Sequence, residues 1–235
     1  MEQATRFPWS HFPAVFIHAP ESFVKTHHAY AAAKAGDSFA AMELVSDAVS
    51  VKTLEQLWKR FNDLAPILVS AHAQEASGIN AIPRALAWLI SDVLDWPRER
   101  RIFQANKGSH TGATGYERLQ RQVLFAGPIV IGLNYLLVDD FIGQGGTLAN
   151  LRGHILAQKG CVIGATVLTG KDYSAELALT SAQLSELRRK HGHIEYWWRQ
   201  RFGFGFECLT ASEARYLSQT ASAERIIGGL EAADG

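Results

Sequence analysis

The spacing of apolar positions changes near residue 65. Ahead of that point it is helical. The alanine-rich stretch 26–35 predicts a helix that stops at Gly36. Asp37 or Ser38 stands where a cap is needed for a second helix, running to about Val49. Thr53 is placed to cap a third, in which Leu54, Leu57, Trp58 and Phe61 share one face. Residues 1–20 are rich in aromatics and prolines, lack a period, and are expected to lie over the surface of the domain. From Pro66 onward, short apolar runs alternate with amphipathic stretches. Residues 67–70, 101–104, 123–125, 135–139 and 161–168 read as strands; 82–94, 116–121 and 147–158 read as helices. This alternation predicts an α/β fold, a mostly parallel sheet flanked by helices. The tail from Ser181 is helical, with Leu184 and Leu187 on one face. It leads into an aromatic cluster of Tyr196, Trp197, Trp198, Phe202, Phe204 and Phe206.

Composition narrows the function classes. The 235 residues include 23 acidic and 23 basic ones, so no global charge draws the chain to nucleic acid or to acidic membranes. The apolar runs are short and lie beside acids or glycines, so no membrane span is expected. The opening MEQATRFPWSHF has no basic region followed by a long apolar one, and a cytoplasmic setting is expected. Cys161 and Cys208 form no metal pattern; Cys161 opens an apolar strand and is expected to be a buried thiol. His27, His28, His191 and His193 have no third or fourth ligand at recognised spacing and read as ordinary histidines.

The most informative stretch is LLVDDFIGQGGTL, residues 136–148. A buried strand carries Asp139 and Asp140 to its carboxyl end, where open α/β sheets place their ligands. The turn Gly143, Gln144, Gly145, Gly146 has little side-chain bulk, so its backbone N–H groups can converge on an anion. Thr147 is placed to cap the next helix, whose N-terminus adds positive partial charge. Carboxylates beside a phosphate cradle suit a sugar phosphate: the cradle takes the phosphate, the acids take vicinal hydroxyls or a Mg²⁺.

This segment resembles the 5-phosphoribosyl-1-pyrophosphate (PRPP) motif of the type I phosphoribosyltransferases: apolar residues, two acids, then a Thr-Gly-Gly-Thr-like turn. The acid pair, Gly145, Gly146 and Thr147 match, whereas Gly143 and Gln144 stand where that family has hydroxyl residues. The resemblance implies an enzyme that binds PRPP with Mg²⁺ and transfers the phosphoribosyl group to a nitrogen nucleophile, a nucleobase being the expected one, with release of pyrophosphate. It implies Asp139 and Asp140 as ribose holders, catalytic groups and direct or indirect Mg²⁺ partners. Gly143, Gln144, Gly145, Gly146 and Thr147 would be the 5′-phosphate cradle.

Ala76, Ser77 and Gly78, between the first core strand and a helix, resemble the family's pyrophosphate loop. The polar stretch 106–115 occupies the place of its mobile catalytic loop, with Lys107 as the cation that neutralises the leaving group and His110 as an assistant. Arg98, Arg100 and Arg101 are near enough in sequence to supply a second cation, while Arg118 and Arg121 read as surface residues. The aromatic cluster could stack a flat base as part of a variable hood. The organisation implied is an N-terminal helical layer (1–64), a phosphoribosyltransferase-like core (65–170) and a C-terminal helical and aromatic hood (171–235), packed as one unit. A homodimer is expected, and neither a membrane nor nucleic acid as partner. Two alternatives stay open: a non-catalytic PRPP- or nucleotide-sensing regulator of the same fold, and a nucleotide-hydrolysing or toxin-like enzyme.

Overall fold

The computed structural model describes residues 3–71, 80–106 and 114–233. Its main sheet has five parallel strands in the order β1-β7-β6-β2-β3: β1 (Phe16–Ala19), β2 (Ile67–Ser70), β3 (Arg98–Glu99), β6 (Asn134–Ile142) and β7 (Cys161–Gly170). A separate antiparallel ribbon pairs β4 (Phe103–Gln104) with β5 (Phe125–Ala126). The centre of the sheet is apolar on both faces, as a covered parallel sheet must be. Side chains alternate between two cores. Leu68, Leu136, Val138 and Leu168 face one, while Val69, Tyr135, Leu137, Ala165 and Val167 face the other.

The first core is closed by the helical layer: α1 (Glu21–Thr26), α2 (Tyr30–Lys34), α3 (Ser38–Ala48), α4 (Val51–Phe61) and α5 (Ile82–Leu94). Asp37 caps α3 by accepting from the Phe39 and Ala40 N–H groups, as the sequence predicts. The cap of α4 is Ser50, which accepts from the Thr53 N–H, and not Thr53 itself; the helix starts three residues earlier than expected. Leu54, Leu57 and Phe61 are buried, but Trp58 is half exposed, just off the buried face. Of the helix expected over 26–35 only the second half forms, as α2; α1 lies ahead of it and ends at Thr26, and His27–Ala29 separate the two.

Behind the second core lies α7 (Gly146–Ala157), and beyond it a third apolar cluster built from α6 (Gly115–Gln120), α8 (Ser181–His191), α9 (Glu195–Phe202), α10 (Ala211–Gln219) and α11 (Ala223–Ala232). Trp198, Phe202, Phe204 and Phe206 are buried inside that cluster, edge to face or tilted against one another. They are core and are not available to stack a base; Tyr196 alone of the group is widely exposed.

Residues 3–20 are no surface decoration. Phe16–Ala19 supplies the outer strand of the main sheet, paired with Thr166, Val167 and Thr169 of β7. Upstream of it, the chain runs as a strap between α7 and the C-terminal cluster. Arg152 donates to the Phe7 and Pro8 carbonyls at 3.1 Å each, and Trp9 Nε1 donates to the Leu209 carbonyl at 2.6 Å. At Gly153 the strap leaves no room for a side chain, since a Cβ there would overlap the Thr5 carbonyl. Four residues flanked by prolines give too little periodicity to register as a strand. Cys161 starts β7 but is exposed, because the first residue of the strand projects beyond the layer that covers its middle; Cys208 is the buried cysteine.

Candidate functional site

Strand β6 continues to Ile142, three residues beyond the expected end, so the acid pair sits inside its last turns of pleat and both acids are buried. Successive strand residues face opposite ways. Asp140 points towards the helical layer, where Lys34 at the end of α2 donates to its Oδ2 at 2.5 Å. Asp139 points the other way, and its Oδ1 accepts the Asp140 backbone N–H at 2.8 Å.

The electrostatics follow from this arrangement. Burial, reinforced by the neighbouring Asp140 charge, holds the Asp139 carboxyl well above its ordinary range. Burial works against the Lys34 ammonium, but attraction to Asp140 and the hydrogen bond between them outweigh it, and Lys34 is held above its ordinary value. The pair therefore combines a carboxyl that favours its neutral form with a carboxylate already matched to a cation.

Three residues join β6 to α7: Gly143, Gln144 and Gly145. Gly145, with φ of 79°, is left-handed and forms the N-cap of α7, which receives no side-chain cap. Thr147 lies one residue inside the helix and does not cap it. The glycine takes that place because a Cβ at Gly145 would overlap Leu177. An uncapped first turn leaves backbone N–H groups to be satisfied by something else. Gln144 Oε1 is buried with no hydrogen-bond partner.

The turn is braced from behind by both ends of the chain. Thr210 Oγ1 donates to the Gln144 carbonyl at 2.5 Å. Glu213 on α10 stands 2.9 Å from where a Cβ of Gly146 would be. Its charge is answered by Arg6 of the strap, which donates to Glu213 through Nη1 and Nη2 at 2.6 and 3.0 Å and to Asn150 Oδ1 through Nε at 2.6 Å. The fork-shaped guanidinium suits this two-point pairing. On the open side, Arg118 Nη1 lies 3.0 Å from the Cβ position of Gly143, so a residue expected at the surface is at the mouth of the turn. Lys25 sits over the Phe141 ring at 5.0 Å, next to the acid pair in sequence.

The structure thus brings together Asp139, Asp140, Gly143, Gln144, Gly145, Gly146 and Thr147 on one strand–turn–helix. Ala76, Ser77, Gly78, Lys107 and His110 lie outside the described residues. Sequence reasoning missed Lys34, Arg6, Thr210, Glu213 and Arg118. All reach the site from distant segments, and a single sequence carries no sign of such contacts. Two capping boxes were local clues: Thr114 with Glu117, which fixes α6 and with it Arg118, and Thr210 with Glu213 at the start of α10.

No family model matches the chain. It is 35% identical over 232 residues to Protein TraN of Escherichia coli, a match spanning 98% of this chain and 52% of that protein. It is also 35% identical over 159 residues to an uncharacterized protein of Haemophilus influenzae, spanning 67% of this chain and 36% of that one. The chain therefore spans about half the length, or less, of the curated relatives it matches. Among solved structures, adenine phosphoribosyltransferase from Leishmania donovani aligns with a TM-score of 0.35 and 14% identity, covering 71% of this chain and 87% of that one. At that TM-score no residue role is carried across. Among the described residues, no helix is long and apolar enough to cross a membrane, and no group of three or more His, Cys, Asp or Glu side chains could hold a metal ion.

Proposed function

We propose that the β6–α7 site binds a phosphorylated ribose, with PRPP as the donor of a phosphoribosyl group to a nitrogen nucleophile such as a nucleobase. One observation carries the reading. Two buried acids at the end of a central parallel strand run directly into a glycine turn that opens an uncapped helix N-terminus. In this proposal the 5′-phosphate lies against the backbone N–H groups of Gly143 to Thr147, where helix partial charge and low side-chain bulk favour an anion. The sugar hydroxyls meet Asp139 and Asp140. A neutral Asp139 can donate as well as accept, and Asp140 retains Oδ1 beside the Lys34 bond. The protein's part is placement and electrostatics.

The donor set does not fit a Mg²⁺ coordinated directly by the pair. Lys34 already takes Asp140, and burial works against ionisation of Asp139. Mg²⁺ enters the proposal only as a companion of the ligand's own pyrophosphate, a common way for this ion to bind. Pyrophosphate contacts by residues 76–78 and 107, and a homodimer, complete the proposal.

The test is calorimetry with PRPP, with and without Mg²⁺, on the wild type and on Asp139→Asn/Asp140→Asn, followed by an assay of pyrophosphate release with a panel of bases. Binding that the double variant loses while remaining folded, together with release, supports transfer. Binding without release for any base favours the sensor. Equal binding by the double variant sinks the ribose role of the acids.

A further inference from the structure

A second concentration of charge lies away from the glycine turn. Between α5 and the edge strand β3 is a cleft of about 440 Å³, floored by Leu68 and Ser70 of β2 and walled by Arg84, Trp88, Arg98 and Arg100. Strand β2 separates β3 from β6, so this edge is two strands, about 10 Å, from the acid pair's strand. Glu99 also lines the cleft, but its charge is spent on Arg101, which grips it through Nε at 3.0 Å and Nη2 at 2.7 Å. Among the described residues, Arg84, Arg98 and Arg100 have no acidic partner. Burial, with the charges of Arg100 and Arg84 behind it, holds the half-buried Arg98 guanidinium below its ordinary value. Three guanidinium groups around one cleft, with no acidic partner among the described residues and on a chain of zero net charge, form a local field that an anion would relieve.

The cleft has a second chemical character. Trp88 follows Arg84 by one helical turn, on the same face of α5, and is 44% exposed. A large exposed indole beside guanidinium groups is a stacking platform for a flat ring. The volume lies within the range of small-molecule sites. We propose that this cleft binds a nucleotide: the phosphates on Arg84, Arg98 and Arg100, the base on Trp88. The ligand is either a free nucleotide or a nucleotide unit of a single strand. The inference does not rest on the reading of the β6–α7 site.

The probes are ADP, inorganic pyrophosphate and a twelve-residue oligothymidylate, followed by tryptophan fluorescence and calorimetry at low and moderate salt. The expected result is saturable ADP binding that quenches emission in the wild type and not in Trp88→Phe. Arg98→Gln should weaken it at least about tenfold, the worth of one charge-assisted hydrogen bond. Pyrophosphate should bind more weakly than ADP, for want of a base. Tighter, more salt-sensitive binding of the oligonucleotide, lost in the same variants, assigns the strand as the source; binding of ADP alone assigns the free nucleotide. Excess PRPP should leave ADP in place. Displacement of ADP by PRPP one for one would overturn the proposal, because the arginines would then serve the ligand of the glycine turn. Absence of saturable binding of all three probes to the folded protein would overturn it as well.

Discussion

Arg6→Met takes the cation out of a pair whose side chains are each only 2% exposed. Glu213 would keep the Thr210 backbone N–H, 2.9 Å from Oε2, and lose its counter-charge. Asn150 Oδ1 would lose the Arg6 Nε donor. Removing one member of a buried ion pair costs about 3–5 kcal/mol, because the survivor is left charged in a poor solvent. With a urea slope of about 3 kcal/mol/M for a chain of this size, the unfolding midpoint falls by about 1–2 M. Arg6→Met/Glu213→Leu should recover most of that loss, since an apolar pair of similar volume is often neutral or better. Urea titrations of the wild type, both single variants and the double variant, followed by far-UV circular dichroism and by tryptophan emission, give the coupling energy, expected at about 2 kcal/mol or more. A single variant within about 1 kcal/mol of the wild type, or a double variant no better than the singles, would refute a strap that neutralises Glu213.

Three further outcomes follow from the same geometry. Asp139 has a folded value above its unfolded one, so the native state holds a proton the unfolded chain releases, and stability falls as pH rises from about 4 through the raised value. Asp139→Asn should therefore raise the melting temperature at pH 7, by an amount that shrinks on acidification; an unchanged or lowered value at pH 7 would contradict the burial of that charge. His18 is the opposite case: burial pushes it down to about 4 from 6.5, its Nδ1 accepting from the Ser50 N–H and its Nε2 facing Thr166 Oγ1. The unfolded chain takes up the proton first, so about 3 kcal/mol is lost as pH falls from 6.5 to about 4, and His18→Asn should flatten that part of a urea-midpoint profile. Gly145→Ala should cost about 1–3 kcal/mol, because the left-handed backbone disfavours a Cβ and Leu177 must move to admit one. A variant as stable as the wild type would show that the turn readily takes another shape.

What could be read from the chain was local. Residues 67–70 and 82–94 are a strand and a helix at the expected bounds, since apolar runs between clear breakers carry their own period. The acid pair and glycine turn were equally plain, because both lie on fourteen successive positions of one strand–turn–helix, 134–147. Contacts across the chain were not legible. Lys34 lies on the apolar stretch 30–34 as an ordinary terminal lysine, and nothing nearby says that it pairs with Asp140. The aromatic run 196–206 was ambiguous for another reason. Its residue types suit a stacking pocket and a packed core alike, and only three-dimensional closure by α10 and α11 decides for the core.

Arg6 meets Glu213 across 207 positions, and Thr166 meets the Phe16 carbonyl across 150. During synthesis the chain emerges from its amino end, so the glycine turn leaves the ribosome when its strap is already out and its later braces, Thr210 and Glu213, are still to be made. Joining segments so far apart is slow, because chain entropy is lost before contacts repay it. The nascent chain thus carries the acid pair well before the turn is held in place. A chain stopped short of Glu213 would expose an unbraced turn and an unanswered Arg6. Ligand binding at this turn would then report that translation had run past α10.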